Sequence, residues 1–195
     1  MNIPFSFWKT ASPKRKRIYS LTFVFVLSIT ATLVGMLIPL SPQEAQLISD
    51  QLNQTVIENT AKGTLIPTIL LNNLSLCLLM FIPLAGLAIG LFILFSTGMA
   101  IRAIFDIQSA TAISGAASAD IQASTAILAL VLIGLTFLLE YVSYSLAMTE
   151  SVWLFRRILQ KRWRELKNTA ICIGIVALLL VLGAIVETLA LSLQL

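Results

Sequence analysis

Residues 65–105 read LIPTILLNNLSLCLLMFIPLAGLAIGLFILFSTGMAIRAIF, an apolar run of 41 positions whose single charged residue is Arg102. As one helix rising 1.5 Å per residue this run would measure about 60 Å, twice the roughly 30 Å hydrocarbon core of a bilayer. It must therefore turn back on itself. Pro83 and Gly86 interrupt the pattern, which places a reversal at 83–86 and makes the run a two-span hairpin. The alternative is a kinked or re-entrant unit, its irregular backbone buried in protein because lipid offers no hydrogen-bond partners.

Charge parity favours two crossings. Lys9, Lys14, Arg15, Lys16 and Arg17 precede the first apolar run, and Arg156, Arg157, Lys161, Arg162, Arg164 and Lys167 precede the last. A single crossing by residues 65–105 would put these clusters on opposite sides of the membrane, against the positive-inside rule. Two crossings return them to the same side.

Working outward, residues 18–40 form the first span. They exceed the 7–15 residues of a secretory h-region, and no small-residue cleavage site follows, so they read as a retained signal anchor. Residues 1–17 form a cytoplasmic or interfacial segment. Residues 41–64 are polar, and Ser41-Pro42-Gln43-Glu44 has the form of a capping box with proline at the first helical position. An amphipathic outer helix is expected there. Residues 65–195 then make a four-span domain, with a small-residue loop at 106–124, a fourth span at 125–148, a cytoplasmic basic segment at 149–168 and a last span at 170–193. The expected fold class is an all-α, polytopic transmembrane helical bundle of about five spans, with its N-terminus in the cytoplasm and its location the cell membrane.

Composition agrees with that class and removes others. Hydrophobic residues make up 58% of the chain and charged residues 11%, against roughly 25% charged in a typical soluble domain. There is no histidine, which excludes zinc-protease HExxH motifs, Ser-His triads and haem ligation by imidazole. Cys77 and Cys172 both lie within spans and form no close pair, so neither a disulfide framework nor a metal site is expected. No catalytic residue, cofactor or metal is assigned. The basic clusters are juxtamembrane, which points to anionic lipid headgroups near Arg156 to Lys167 and not to nucleic acid.

The polar residues inside the spans are the candidate site. A charge in a lipid-spanning helix is costly and normally faces protein or a wet cavity. Glu140 lies eight residues before the expected inner end of its span, roughly 12 Å deep, while Glu187 lies about 9–10 Å below the outer face. The expectation is two separate sites: an inner one where Glu140 shares a helical face with Tyr144, and an outer one where Glu187 meets Asn72, Asn73 and Arg102. Glu187 to Arg102 is the preferred ion pair, with Arg102 to Asp106 as the i, i+4 competitor. These groups serve either as interhelical polar fasteners or as a proton or cation path. Gly86 and Gly90 form a GxxxG motif that Gly98 extends, marking a span that packs closely within the bundle or against a second copy.

The order of features resembles the stage II sporulation protein M family of polytopic membrane proteins. The resemblance covers roughly residues 65–195 and rests on Asn72-Asn73 opening the long apolar run, on Gly86, Gly90 and Gly98, on Glu140 followed by Ala147, and on Ile185 to Glu187 in the last span. Many bacterial members carry Pro-His-Gly before the glutamate; this chain has Leu135, Thr136 and Phe137 at those positions. The resemblance implies a noncatalytic membrane scaffold or complex subunit whose partners are other membrane subunits or further copies of itself. The alternative from the residues alone is a proton- or cation-coupled channel or transporter component using Glu140 and Glu187.

Overall fold

A computed structural model describes residues 10–113 and 123–192, and every described element is helical. Six α-helices follow one another: α1 (Pro13–Met36), α2 (Pro42–Ala61), α3 (Leu65–Leu79), α4 (Ala85–Ile113), α5 (Ala123–Leu159) and α6 (Leu166–Ser192), with a 3₁₀ turn (Trp163–Glu165) between the last two. Four of them, α1, α4, α5 and α6 (the last extended by the 3₁₀ turn), are long and apolar enough to cross a membrane. The chain is an α-helical membrane protein.

The hairpin at 65–105 is present, but its arms are unequal. The 15 residues of α3 span only about 22 Å, less than a bilayer core, while the 29 residues of α4 span about 43 Å. The reversal at 80–84 forces Leu84 to a positive φ of 65°. Its backbone polar groups are satisfied locally, by Phe81 N–H to Leu78 O at 3.1 Å and Gly86 N–H to Ile82 O at 2.8 Å, and across the bundle by Leu84 N–H to Ser151 O of α5 at 3.5 Å. This is how a turn without polar side chains persists at membrane depth: neighbouring protein supplies the acceptors that lipid lacks. Gly86 is required there, since a Cβ at that position would collide with the Met80 carbonyl.

Contacts along the helices fix their directions. Ser28 and Ser145 approach to 3.3 Å and Thr32 and Tyr141 to 2.6 Å, so α1 and α5 are antiparallel. Asn73 pairs with Glu140 and Cys77 with the Ser143 carbonyl, so α3 runs with α5. Arg157 pairs with Thr169, while Gly183 lies beside Glu140, so α6 runs against α5. Both basic clusters consequently reach one end of the bundle, where Arg17 of α1 and Arg156 of α5 each stand 5.5 Å from the Trp153 ring.

Helix α5 is the hub, touching α1, α3, α4 and α6. Toward the basic end it is enclosed: Ala147, Met148 and Ser151 are buried, and Met148 joins Met80, Leu94, Val176 and Leu180 in the core. Toward the other end it is bare, with Ile127, Leu130 and Val131 exposed as lipid-facing side chains are. The most extensive pairings are α5 with α6 and α1 with α4. The second depends on two glycines. A Cβ on Gly35 would strike the Phe95 carbonyl and one on Gly98 the Thr32 carbonyl, so the helices approach to backbone contact as small residues permit. Gly98 thus packs inside the bundle against α1.

Several boundaries differ from the sequence expectation. The first helix begins at Pro13, with Ser12 as its N-cap, and includes Lys14, Arg15, Lys16 and Arg17 of the basic cluster, while Lys9 lies outside the described residues. Of the expected loop 106–124, residues 106–113 continue α4, residues 123–124 begin α5, and residues 114–122 lie outside the described residues. Most important, α5 does not stop at Met148 but continues eleven residues to Leu159, taking much of the expected cytoplasmic segment 149–168 into the bundle. Helix α2 has its capping box, with the Ser41 hydroxyl accepting from Glu44 N–H and the Glu44 carboxylate accepting from Ser41 N–H at 2.9 Å.

Candidate functional site

The unbroken length of α5 changes the placement of both intramembrane glutamates. Glu140 is 159 − 140 = 19 residues from the end of α5, and Glu187 is 187 − 166 = 21 residues from the start of α6. In two antiparallel helices joined by a short turn, those counts place the groups at nearly the same level. They line one cavity of about 300 Å³, together with Thr97 of α4 and Thr136 of α5. The expectation of separate inner and outer sites is therefore corrected. The error lay in ending the fourth span where Thr149-Glu150 interrupts the apolar run.

The partners of these groups are also redistributed. Glu140 accepts a hydrogen bond from Asn73 Nδ2 at 2.5 Å, so Asn73 serves this glutamate and not Glu187, while Asn72 lies outside on α3 with its amide 3.5 Å from Asn73 Oδ1. Arg102 does not reach Glu187. Its Nε donates to both oxygens of Asp106 at 2.8 Å, one turn along α4 on a half-exposed face, so the competing pair is the one formed. Tyr144 sits one turn from Glu140 in the buried core, against Met148 and Cys77. Glu187 has neither a hydrogen bond nor an ion pair among the described residues.

Gly183, one turn before Glu187, faces Glu140 across the helix pair, and a Cβ there would lie at an ordinary van der Waals distance of 3.9 Å from Cγ of Glu140. Thr136 is buried, and its Oγ1 has no hydrogen-bond partner, while the Thr97 hydroxyl donates to the Ile93 carbonyl at 3.0 Å. The cavity thus offers two carboxylates and two hydroxyl oxygens, and among the described residues no Lys or Arg lines it. Two carboxylates in a low-dielectric space need a proton or cation to neutralise them. Among the described residues no cluster of three or more His, Cys, Asp or Glu side chains forms a metal cage.

Two further polar assemblies had weak sequence signals. Thr32 of α1 bonds both the Tyr141 hydroxyl, at 2.6 Å, and the Leu94 carbonyl, at 3.2 Å, tying three helices together. Near the basic end, Glu150 and Arg157 form an ion pair while only 3% exposed each, and Thr169 of α6 accepts from Arg157 at 2.9 Å and donates to Glu150 at 2.8 Å. A spacing of seven residues, two helical turns, puts that glutamate and arginine on one face and was the available clue.

No protein-family model, curated protein or solved structure matches the chain. Fold and site together define a class: a polytopic α-helical membrane protein with a carboxylate-lined cavity inside the bundle.

Proposed function

We propose that this protein is a noncatalytic component of a proton- or cation-coupled channel or transporter of the cell membrane, and that it takes up a proton or a monovalent cation between Glu140 and Glu187. The carrying observation is that both carboxylates line one cavity that, among the described residues, no basic side chain lines. A group whose sole task is to fasten helices has its oxygens taken by partners, whereas Glu140 accepts one hydrogen bond, from Asn73 on Oε1, and still lines the cavity. Glu187 is unpaired among the described residues and faces the cavity, where an ion can reach it. In proteoliposomes loaded with a pH-sensitive or cation-sensitive dye, the protein is expected to support a flux that Glu187→Gln and Glu140→Gln each remove. Flux indifferent to both substitutions, or none above protein-free vesicles, refutes the proposal.

A second reading has its own support. The half of the bundle nearer the basic end is filled by Met80, Leu94, Met148, Val176 and Leu180, which suits a rigid scaffold, the role implied by the resemblance to the stage II sporulation protein M family. On this reading Asn73 and Glu140 act as a fastener between α3 and α5. Purification in mild detergent then recovers a stoichiometric membrane partner, and recovery of a lone monomer counts against it.

A further inference from the structure

At the basic end of the bundle, the first turns of α1, the last turns of α5 and the 3₁₀ turn enclose a second cavity, of about 660 Å³. Its walls include Lys14, Lys16 and Arg17 from α1 and Arg156, Arg157 and Arg162 from the end of α5 and beyond, against a single carboxylate, Glu165. Glu165 is already engaged by Arg162 and, at 3.5 Å, by Nε of Arg157. Lys14, Lys16, Arg17 and Arg156 form no salt bridge with any carboxylate among the described residues. The cleft therefore carries an excess of positive charge held in a concave space.

Two details separate it from an ordinary solvated basic patch. Arg157 is 3% exposed, anchored on one side by Glu150 and Thr169, and its Nη2 is buried without a hydrogen-bond partner. Arg17 and Arg156 flank Trp153, each 5.5 Å from its ring, which fixes two guanidinium groups that would otherwise be mobile. Fixed, planar donors are suited to paired bonds with phosphate oxygens.

The position of the cleft selects the ligand. One residue beyond Arg17 the surface of α1 becomes exposed and apolar, at Ile18 and Phe23, and the tryptophan among the cations is the side chain that favours the membrane–water boundary. We propose that this cleft is a binding site for the phosphate headgroup of an anionic phospholipid, with Arg17 and Arg156 as its principal contacts and the acyl chains lying along the apolar face of α1. The site is independent of the carboxylate cavity.

The test uses the full chain carrying Trp8→Phe and Trp163→Phe, so that Trp153 is the sole tryptophan, reconstituted into phosphatidylcholine vesicles. Brominated-chain phosphatidic acid or phosphatidylglycerol is expected to quench Trp153 at about a tenfold lower mole fraction than brominated phosphatidylcholine, and Arg17→Gln/Arg156→Gln is expected to abolish that preference. Lys14→Gln/Lys16→Gln, on the exposed first turn of α1, weakens it without touching the tryptophan. Arg164→Gln/Lys167→Gln removes two charges outside the cleft and leaves the preference in place. Equal quenching by neutral and anionic lipid overturns the proposal, as does an equal loss in the Arg164/Lys167 variant, which reduces the effect to diffuse charge. Inorganic phosphate distinguishes the source: failure to relieve the quenching supports the lipid headgroup, whereas relief at millimolar concentration overturns the lipid assignment in favour of a soluble phosphate ligand.

Discussion

Arg157→Met removes the cation from a buried pair and leaves Glu150, 3% exposed, with the Thr169 hydroxyl as its hydrogen-bond partner and Arg17 as a remaining electrostatic one. Breaking one side of such a pair typically costs about 3–5 kcal/mol, because the remaining charge is uncompensated. Glu150→Met is expected to cost less, since Glu165 Oε2 stays within 3.5 Å of Arg157 Nε and neutralises part of the stranded charge. Replacing both residues by Met removes both charges at similar side-chain length, and the double variant should fall within about 1–2 kcal/mol of the native protein. The two single losses then sum to several kcal/mol more than the double. The assay is unfolding in mixed micelles titrated with SDS, followed by tryptophan fluorescence, on all four proteins of the cycle. Additivity within about 0.5 kcal/mol, the behaviour of distant and independent sites, would refute the argument that mutual neutralisation lets α5 continue past Met148.

Glycine positions provide a second, graded test. Gly98→Ala places a methyl group against the Thr32 carbonyl and should cost about 1–3 kcal/mol through overpacking, whereas Gly174→Ala, with nothing within 4 Å of the new carbon, should stabilise α6 by roughly 0.5–1 kcal/mol; the same SDS titration reads both. A third concerns pH at α2. The Ser41 hydroxyl, and after it the Ser41 backbone amide, hold the Glu44 carboxyl below its ordinary value of 4.5. A group depressed in the folded state contributes stability that is complete above the ordinary value and lost as pH falls through the folded one. Amide-exchange protection in the first turn of α2 should therefore decline as pH drops below about 4.5, and Glu44→Gln should flatten that dependence.

Sequence by itself determined the class, and it did so through quantities that need no neighbours. The length of apolar run 65–105 against bilayer thickness demanded a reversal near Pro83, and the turn lies at 80–84. Ser41 and Glu44, three residues apart, specified a cap that forms within one helical turn. The separation of the two basic clusters by an even number of crossings followed from counting, and both reach one end of the bundle.

What required the tertiary structure was every statement about which side chain meets which across helices. Glu150 reads as the end of a span because a lone carboxylate cannot remain in lipid; only its contact with Arg157 and Thr169 makes the continuation of α5 affordable. That continuation shifts Glu140 by eleven residues relative to the helix end and brings it level with Glu187, so one boundary error separated two groups that share a cavity. Arg102 had two acidic candidates, and the one on its own helix prevailed because it needs no second helix to be positioned. Depth along a helix is legible from sequence only as far as its ends are, and burial among neighbouring helices sets those ends.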